Sequence, residues 1–157
     1  MPNLLTGPTK CLLVRPEFLE NTFYNLTEVF RTLGGSSPAP PLGALMAAAL
    51  LPKHWELKLV DADVEPLTDA HFQWADLVMI SGIGPQQETI FKAIARAKAY
   101  GKPVVVGGAA PTLQPDKYVG KADFVVSGEA ETTLPKLLED LGKGVTSGLY
   151  KSDERAD

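Results

Sequence analysis

The chain carries 1 cysteine and 2 histidines, and that scarcity closes off several chemistries at once. A lone thiol, Cys11, forms no internal disulfide, so nothing points to secretion. It also excludes an iron–sulfur cluster held by this chain alone, since such clusters take several thiolates. Basic charge is not in excess: 15 Lys and Arg against 19 Asp and Glu leave a net charge of -4. A nucleic-acid face would show a basic stripe, and these charges are interleaved, so no nucleic-acid partner is expected. The longest apolar run, residues 40–52, is too short and too rich in alanine to span a bilayer. The opening MPNLLTGPTK lacks the charged start and apolar stretch of a signal peptide. These absences together read as a cytoplasmic protein.

What is present is a regular alternation of apolar strands and amphipathic helices. A length of 157 residues with 45% hydrophobic content suffices for one domain with a full core. Residues 1–9 read as a polar leader. KCLLV from Lys10 is apolar without alternation, as suits a strand covered on both faces in a parallel sheet. Residues 15–40 form a long insertion where a connection of about 2–6 residues is usual. Within it, Asn25 and Glu28 make a capping box, and Leu26, Val29, Phe30 and Leu33 fall at helical spacing. This segment reads either as a satellite hydrophobic cluster or as a flap over a large planar ligand.

Pro40 and Pro41 open a helix with the apolar stripe Leu42, Leu45, Met46, Ala49 and Leu50. ELKLV from Glu56 alternates, the mark of a strand nearer an edge. A short helix near residues 69–74, a strand at 77–81, a helix at 86–100, a strand at 103–106, a strand at 124–127 and a leucine-striped final helix follow. After Gly142 the chain turns polar, and residues 143–157 read as a linker to a further domain. Residues 10–142 are thus expected to form an α/β domain with a five-stranded parallel sheet. Its expected order is 2-1-3-4-5, the flavodoxin-like, three-layer, Rossmann-like arrangement, with a ligand site where the ends of strands one and three diverge.

The strand ends carry similar residues: Ser81-Gly82, Gly107-Gly108 and Ser127-Gly128. Glycine there lets a ligand approach closely, or simply makes a tight turn; a serine hydroxyl can donate or accept. Familiar occupants of this fold do not match. Phosphotransfer would need an aspartate where Ser81 stands. A dinucleotide site would need G-x-G-x-x-G after strand one, where the sequence is Arg-Pro-Glu-Phe. Asp61, placed like a ribose-binding acid, therefore reads as a turn residue.

Ser81-x-Ile83 followed by Gly107-Gly108 resembles the S-x-L … GG pattern of cobalamin-binding domains. The phrases LLVRPEF, PPLG…AALLP, LVDADVEPL, VVVGG and FVVSGEAE are similar to the N-terminal domain of B12-binding radical SAM proteins. The likeness covers about residues 10–150. It implies that the nucleotide tail of cobalamin threads into the sheet between the loops after strands one, three and four. By this resemblance Ser81, Gly82 and Ile83 meet the tail, and Gly107 and Gly108 let it pass. Ala109 and Ala110 keep the rim small, Ser127, Gly128 and Glu129 line the far wall, and Pro41 and Gly43 of the PPLG phrase join them. Arg15, Glu17, Phe18 and Tyr24 are candidates to face the cobalt.

Two departures qualify the likeness. The D-x-H-x-x-G that ligates cobalt in methionine-synthase-type domains is missing, since residues 15–40 hold no histidine. His54 and His71 lie elsewhere and read as surface residues, so cobalamin is expected base-off without a histidine ligand. The C-x-x-x-C-x-x-C of radical SAM chemistry is also missing. The [4Fe–4S] cluster and S-adenosylmethionine therefore belong to a following domain of a parent enzyme, the expected partner of this one. A cofactor-free interaction module, or a domain for another nucleotide, are the alternatives.

Overall fold

The computed structural model describes residues 9–19, 26, 29, 32–35 and 40–152. Six strands form one parallel sheet: β1 (Lys10–Arg15), β2 (Glu56–Asp61), β3 (Leu77–Ser81), β4 (Val104–Gly107), β5 (Phe124–Ser127) and β6 (Gly148–Lys151). Their order is β2-β1-β3-β4-β5-β6. The first five strands stand as the sequence predicts. The sixth is an addition, and it falls within the stretch read as a linker. β6 pairs in register with β5 from Phe124 opposite Gly148 to Ser127 opposite Lys151. Its short sequence, GLYK, lies between glycine, serine and lysine residues, so the tertiary pairing rather than local pattern creates it.

The described helices are α1 (Leu42–Leu50), α2 (Asp69–Trp74), α3 (Gln87–Ala99), α4 (Ala109–Leu113) and α5 (Ala130–Gly142). Strand alternation sends side chains to two cores. On one face Leu12, Val14, Val78, Ile80, Val104 and Val106 pack against Phe72 of α2 and Ile90, Ile94 and Ala97 of α3. On the other, Cys11, Leu13, Leu77, Met79, Val105 and Val126 pack against Ala44 and Leu51 near α1 and Leu134, Leu137 and Leu141 of α5. The alternating β2 lies at the sheet edge, with Glu56, Leu57 and Lys58 exposed.

The apolar stripe of α1 divides. Leu50 packs on the core beside Ala47 and Ala48, and Ala44 is buried, while Leu42, Leu45 and Met46 are exposed, Leu42 and Met46 towards a cavity at the strand ends. Small residues let this helix lie close to β1 and β3. Of the helix expected around residues 26–33, Leu26, Val29, Thr32 and Leu33 are described; Leu33 N donates to Val29 O at 3.1 Å, a helical bond, and Leu26, Val29 and Leu33 are exposed. Tyr24, Asn25, Glu28 and Phe30 lie outside the described residues. No described helix is long and apolar enough to cross a membrane.

Candidate functional site

The reversal of strand order places the carboxyl ends of β1 and β3 side by side with their following loops departing in opposite directions. Two adjoining cavities open there. The larger, about 520 Å³, runs between the sheet and helices α1 and α5. Its depth is apolar: Leu13, Ala44, Met79, Val105, Val126 and Leu134. Ser81, Gly107, Gly108, Thr112, Gly128, Glu129 and Glu131 surround its upper part. The smaller, about 350 Å³, lies towards β1 and is bounded by Arg15, Phe18, Pro41, Gly82, Ile83 and Gln86. Leu42, Gly43, Ala44, Ser81, Gly108 and Ala109 border both.

Ser81 stands at the junction. It pairs with Gly107 across the β3–β4 ladder, and its side chain is half-buried. A Cβ added to Gly43 would lie 2.8 Å from Ser81 Oγ, and one added to Gly108 would lie 3.0 Å from it. Two glycines from separate elements thus converge on one hydroxyl and leave it room. Gly108 also has φ +93° and sits 2.8 Å, at its notional Cβ, from the Gly82 carbonyl oxygen, so no side chain is accommodated there. Gly107 is different: an added Cβ would make only ordinary contact with Val126 at 3.6 Å. Gly128 has its own structural reason, since a Cβ there would lie 2.2 Å from the Ser152 carbonyl oxygen beside β6.

The loop leaving β1 is tied down on three sides. Arg15 Nη1 donates to both carboxylate oxygens of Asp61, at 3.0 and 2.9 Å, and forms an ion pair with Asp63 Oδ2 at 3.2 Å. Asp63 Oδ1 accepts from Phe18 N at 2.9 Å. Gln86, buried before α3, donates through Nε2 to the Pro16 carbonyl and accepts at Oε1 from Ile83 N at 3.1 Å. Thr89 Oγ1 donates to the Glu17 carbonyl at 2.7 Å. Asp61 is thus the acid of a charged cluster rather than the solvated turn residue its sequence position suggests. The Arg15 guanidinium lies 5.4 Å from the Phe18 ring centre, and both residues border the smaller cavity.

Of the residues singled out from sequence, Arg15, Phe18, Pro41, Gly43, Ser81, Gly82, Ile83, Gly107, Gly108, Ala109, Gly128 and Glu129 border one cavity or both. Glu17 borders neither; its side chain is exposed. Ala110 is buried, with its N–H on the Gly82 carbonyl at 3.1 Å. Ser127 is buried and donates to the Thr112 carbonyl at 3.4 Å. Sequence reasoning passed over Leu13, Met79, Val105, Val126 and Leu134, which read simply as core, and Thr112, whose Oγ1 donates to the Gly108 carbonyl at 2.9 Å and accepts from Gly128 N at 3.0 Å. Strand alternation groups Leu13, Met79 and Val105 on one face, but no local signal tells a cavity floor from a packed core.

Neither histidine approaches these cavities. His54 precedes β2, at the opposite rim of the sheet, and is exposed. His71 lies on α2, where its Nδ1 accepts from Thr68 N at 3.1 Å. Among the described residues no group of His, Cys, Asp and Glu has the arrangement of a metal site.

Comparison with known proteins bears on this crevice. An uncharacterized methyltransferase of Synechocystis sp. is 39% identical over 149 residues, covering 94% of this chain and 28% of the relative. A hopanoid C-2 methylase of Rhodopseudomonas palustris is 30% identical over 122 residues, covering 75% of this chain and 23% of the relative. A bacteriochlorophyllide d C-12(1)-methyltransferase of Chlorobaculum tepidum is 26% identical over 143 residues, covering 91% and 29%. The chain thus spans less than a third of the length of these curated relatives. No solved structure matches it. The family model for the B12 binding domain matches residues 33–138, which include α1, the Ser81 turn, the Gly107-Gly108 pair and most of α5, and the chain belongs to that family.

Proposed function

We propose that this chain binds cobalamin base-off, without a histidine ligand to cobalt, as the cofactor-binding domain of a methylating radical SAM enzyme. The observation that carries the reading is the junction at Ser81, where Gly43 and Gly108 withhold side chains around a hydroxyl that opens into an apolar slot. The residues present fit the group. A lower base is planar and largely apolar, and the larger cavity is of ligand size with an apolar depth. The corrin ring, with its amide side chains, is too large for that slot and would lie outside it, over the strand ends.

In this reading Ser81 donates to or accepts from the nucleotide tail, and Gly107 and Gly108 give it passage. Arg15 and Phe18 face the smaller cavity, held there by Asp61, Asp63 and Gln86. Cobalamin, when bound, supplies a cobalt centre able to carry a methyl group, while the protein binds and orients it. No histidine stands among the described residues that border either cavity, and the sequence of residues 15–40 holds none, which supports a cobalt without an imidazole beneath it. The [4Fe–4S] cluster and S-adenosylmethionine would belong to the remaining length that the relatives possess, since the only thiol here is sealed within the sheet.

Hydroxocobalamin added to the protein should co-migrate with it through gel filtration. Spin resonance of the cob(II)alamin form should lack nitrogen splitting from an axial ligand. Elution of the corrinoid later than the protein, as free small molecule, would return the domain to a cofactor-free or other-nucleotide role, and nitrogen splitting would overturn the histidine-free ligation.

A further inference from the structure

The depth of the larger cavity is lined by apolar side chains. Leu13 and Val105 come from the sheet, as do Met79 and Val126; Leu134 comes from α5 and Ala44 from α1. All six are buried, and none carries a nitrogen or oxygen in its side chain. The polar groups that border the cavity come from the strand ends and the loops and helix starts just beyond them: Ser81, Thr112, Glu129, Glu131 and Ser152. Thr112 is already engaged on both sides, by the Gly108 carbonyl and the Gly128 N–H. The backbone groups of β1, β3, β4 and β5 that flank the depth are committed to the sheet ladders.

Corrinoids differ mainly in the lower base at the end of the nucleotide tail. A dimethylbenzimidazole presents methyl groups and carbon edges beyond its ring nitrogens. An adenine presents an exocyclic amine and further ring nitrogens on the edge that would enter first. A polar edge buried without a partner loses its hydrogen bonds to water and regains none. We infer that this domain discriminates corrinoids by their lower base, admitting benzimidazolyl and comparably apolar bases and disfavouring purinyl ones. This rests on the cobalamin reading and deepens it: Leu13, Met79, Val105, Val126 and Leu134 act as specificity-determining residues.

The test uses three probes on the unmodified protein: cobalamin, adeninylcobamide, which differs in the lower base, and cobinamide, which has no nucleotide tail. Cobalamin should bind on the order of 10-fold or more tightly than adeninylcobamide, the range set by one buried unpaired polar group, and more tightly than cobinamide. Equal affinity for cobalamin and adeninylcobamide, or a preference for the latter, would overturn the selectivity while leaving cobalamin binding intact. Cobinamide binding as well as cobalamin would also overturn it, by removing the base from the slot. Binding of none of the three would remove the cobalamin reading itself. A Met79→Gln variant, close in length and offering both a donor and an acceptor to the depth, should narrow the ratio between the two cobamides, with cobinamide affinity as the internal reference. A ratio unchanged in a folded Met79→Gln protein would overturn the assignment of that side chain.

Discussion

Cys11 lies near the start of β1, wholly buried, and burial pushes its thiol up to about 12. The thiolate is the reactive form, so the native protein should resist alkylation at pH 8 and react with a thiol reagent only once unfolded; ready reaction in the folded state would contradict the burial. A raised thiol stabilises the fold fully at pH values below its unfolded value near 9, and that contribution is lost progressively as pH rises towards 12. Ser81 ends the neighbouring strand and is left half-buried, with Gly43 and Gly108 close against its hydroxyl. Gly43→Ala and Gly108→Ala should therefore part company. The first meets only the rotatable Ser81 hydroxyl, so stability should change little while corrinoid affinity falls. The second meets the Gly82 backbone and must hold a positive φ, which costs about 1–3 kcal/mol. Thermal melts and corrinoid titration of both variants separate the two effects. Ser81 and Gly108 were legible from sequence because a strand end followed by glycine is a local signal; Gly43 owes its place to a resemblance, since its contact with Ser81 spans elements far apart in the chain.

At the scale of elements, the two loops that diverge at the strand switch are joined by one buried amide. Gln86 bridges the Pro16 carbonyl and the Ile83 N–H, and Thr89 and Asp63 hold the residues between. Gln86→Met keeps the length but leaves two backbone groups without this partner, which should lower stability by about 1–3 kcal/mol. Amide exchange at Ile83 should quicken while the β3 and β4 amides stay protected; unchanged exchange at Ile83 would contradict the bridge. Helix α1 shows where periodicity misleads. Its spacing of Leu42, Leu45, Met46, Ala49 and Leu50 is a fair helical stripe, yet of these Leu50 alone packs on the core, where Ala44, Ala47 and Ala48 join it, and Leu42 and Met46 border the cavity instead. Hydrophobic spacing marks residues that avoid water without telling a cavity wall from a packed core, whereas close approach of a helix to strands rewards small residues.

For the whole molecule, the sixth strand completes the sheet beyond the point where sequence pattern ends. β6 covers the outer edge of β5, brings the Ser152 carbonyl against Gly128, and places Tyr150 with its hydroxyl on Asp140 Oδ2 at 2.9 Å. Ending the chain after Thr146 should expose that edge, lower the melting temperature by several degrees and favour association between copies. A melt and a sedimentation profile unchanged from the full chain would show β6 to be dispensable. A linker and a short edge strand share the same polar, glycine-bearing composition, so only pairing distinguishes them.

The chain's sequence by itself determined the first five strands, their parallel alternation with helices, the serine and glycines at the strand ends, the lack of histidine in residues 15–40 and the lack of a cysteine cluster. These follow from local rules of period, propensity and composition. Tertiary structure alone decided which apolar residues line a slot rather than fill a core, which face of α1 meets the sheet, how Arg15 is shared between Asp61 and Asp63, and whether residues 148–151 pair. Each of those depends on contacts between segments distant in the chain, and shape complementarity across such distances leaves no periodic trace in the sequence of either partner.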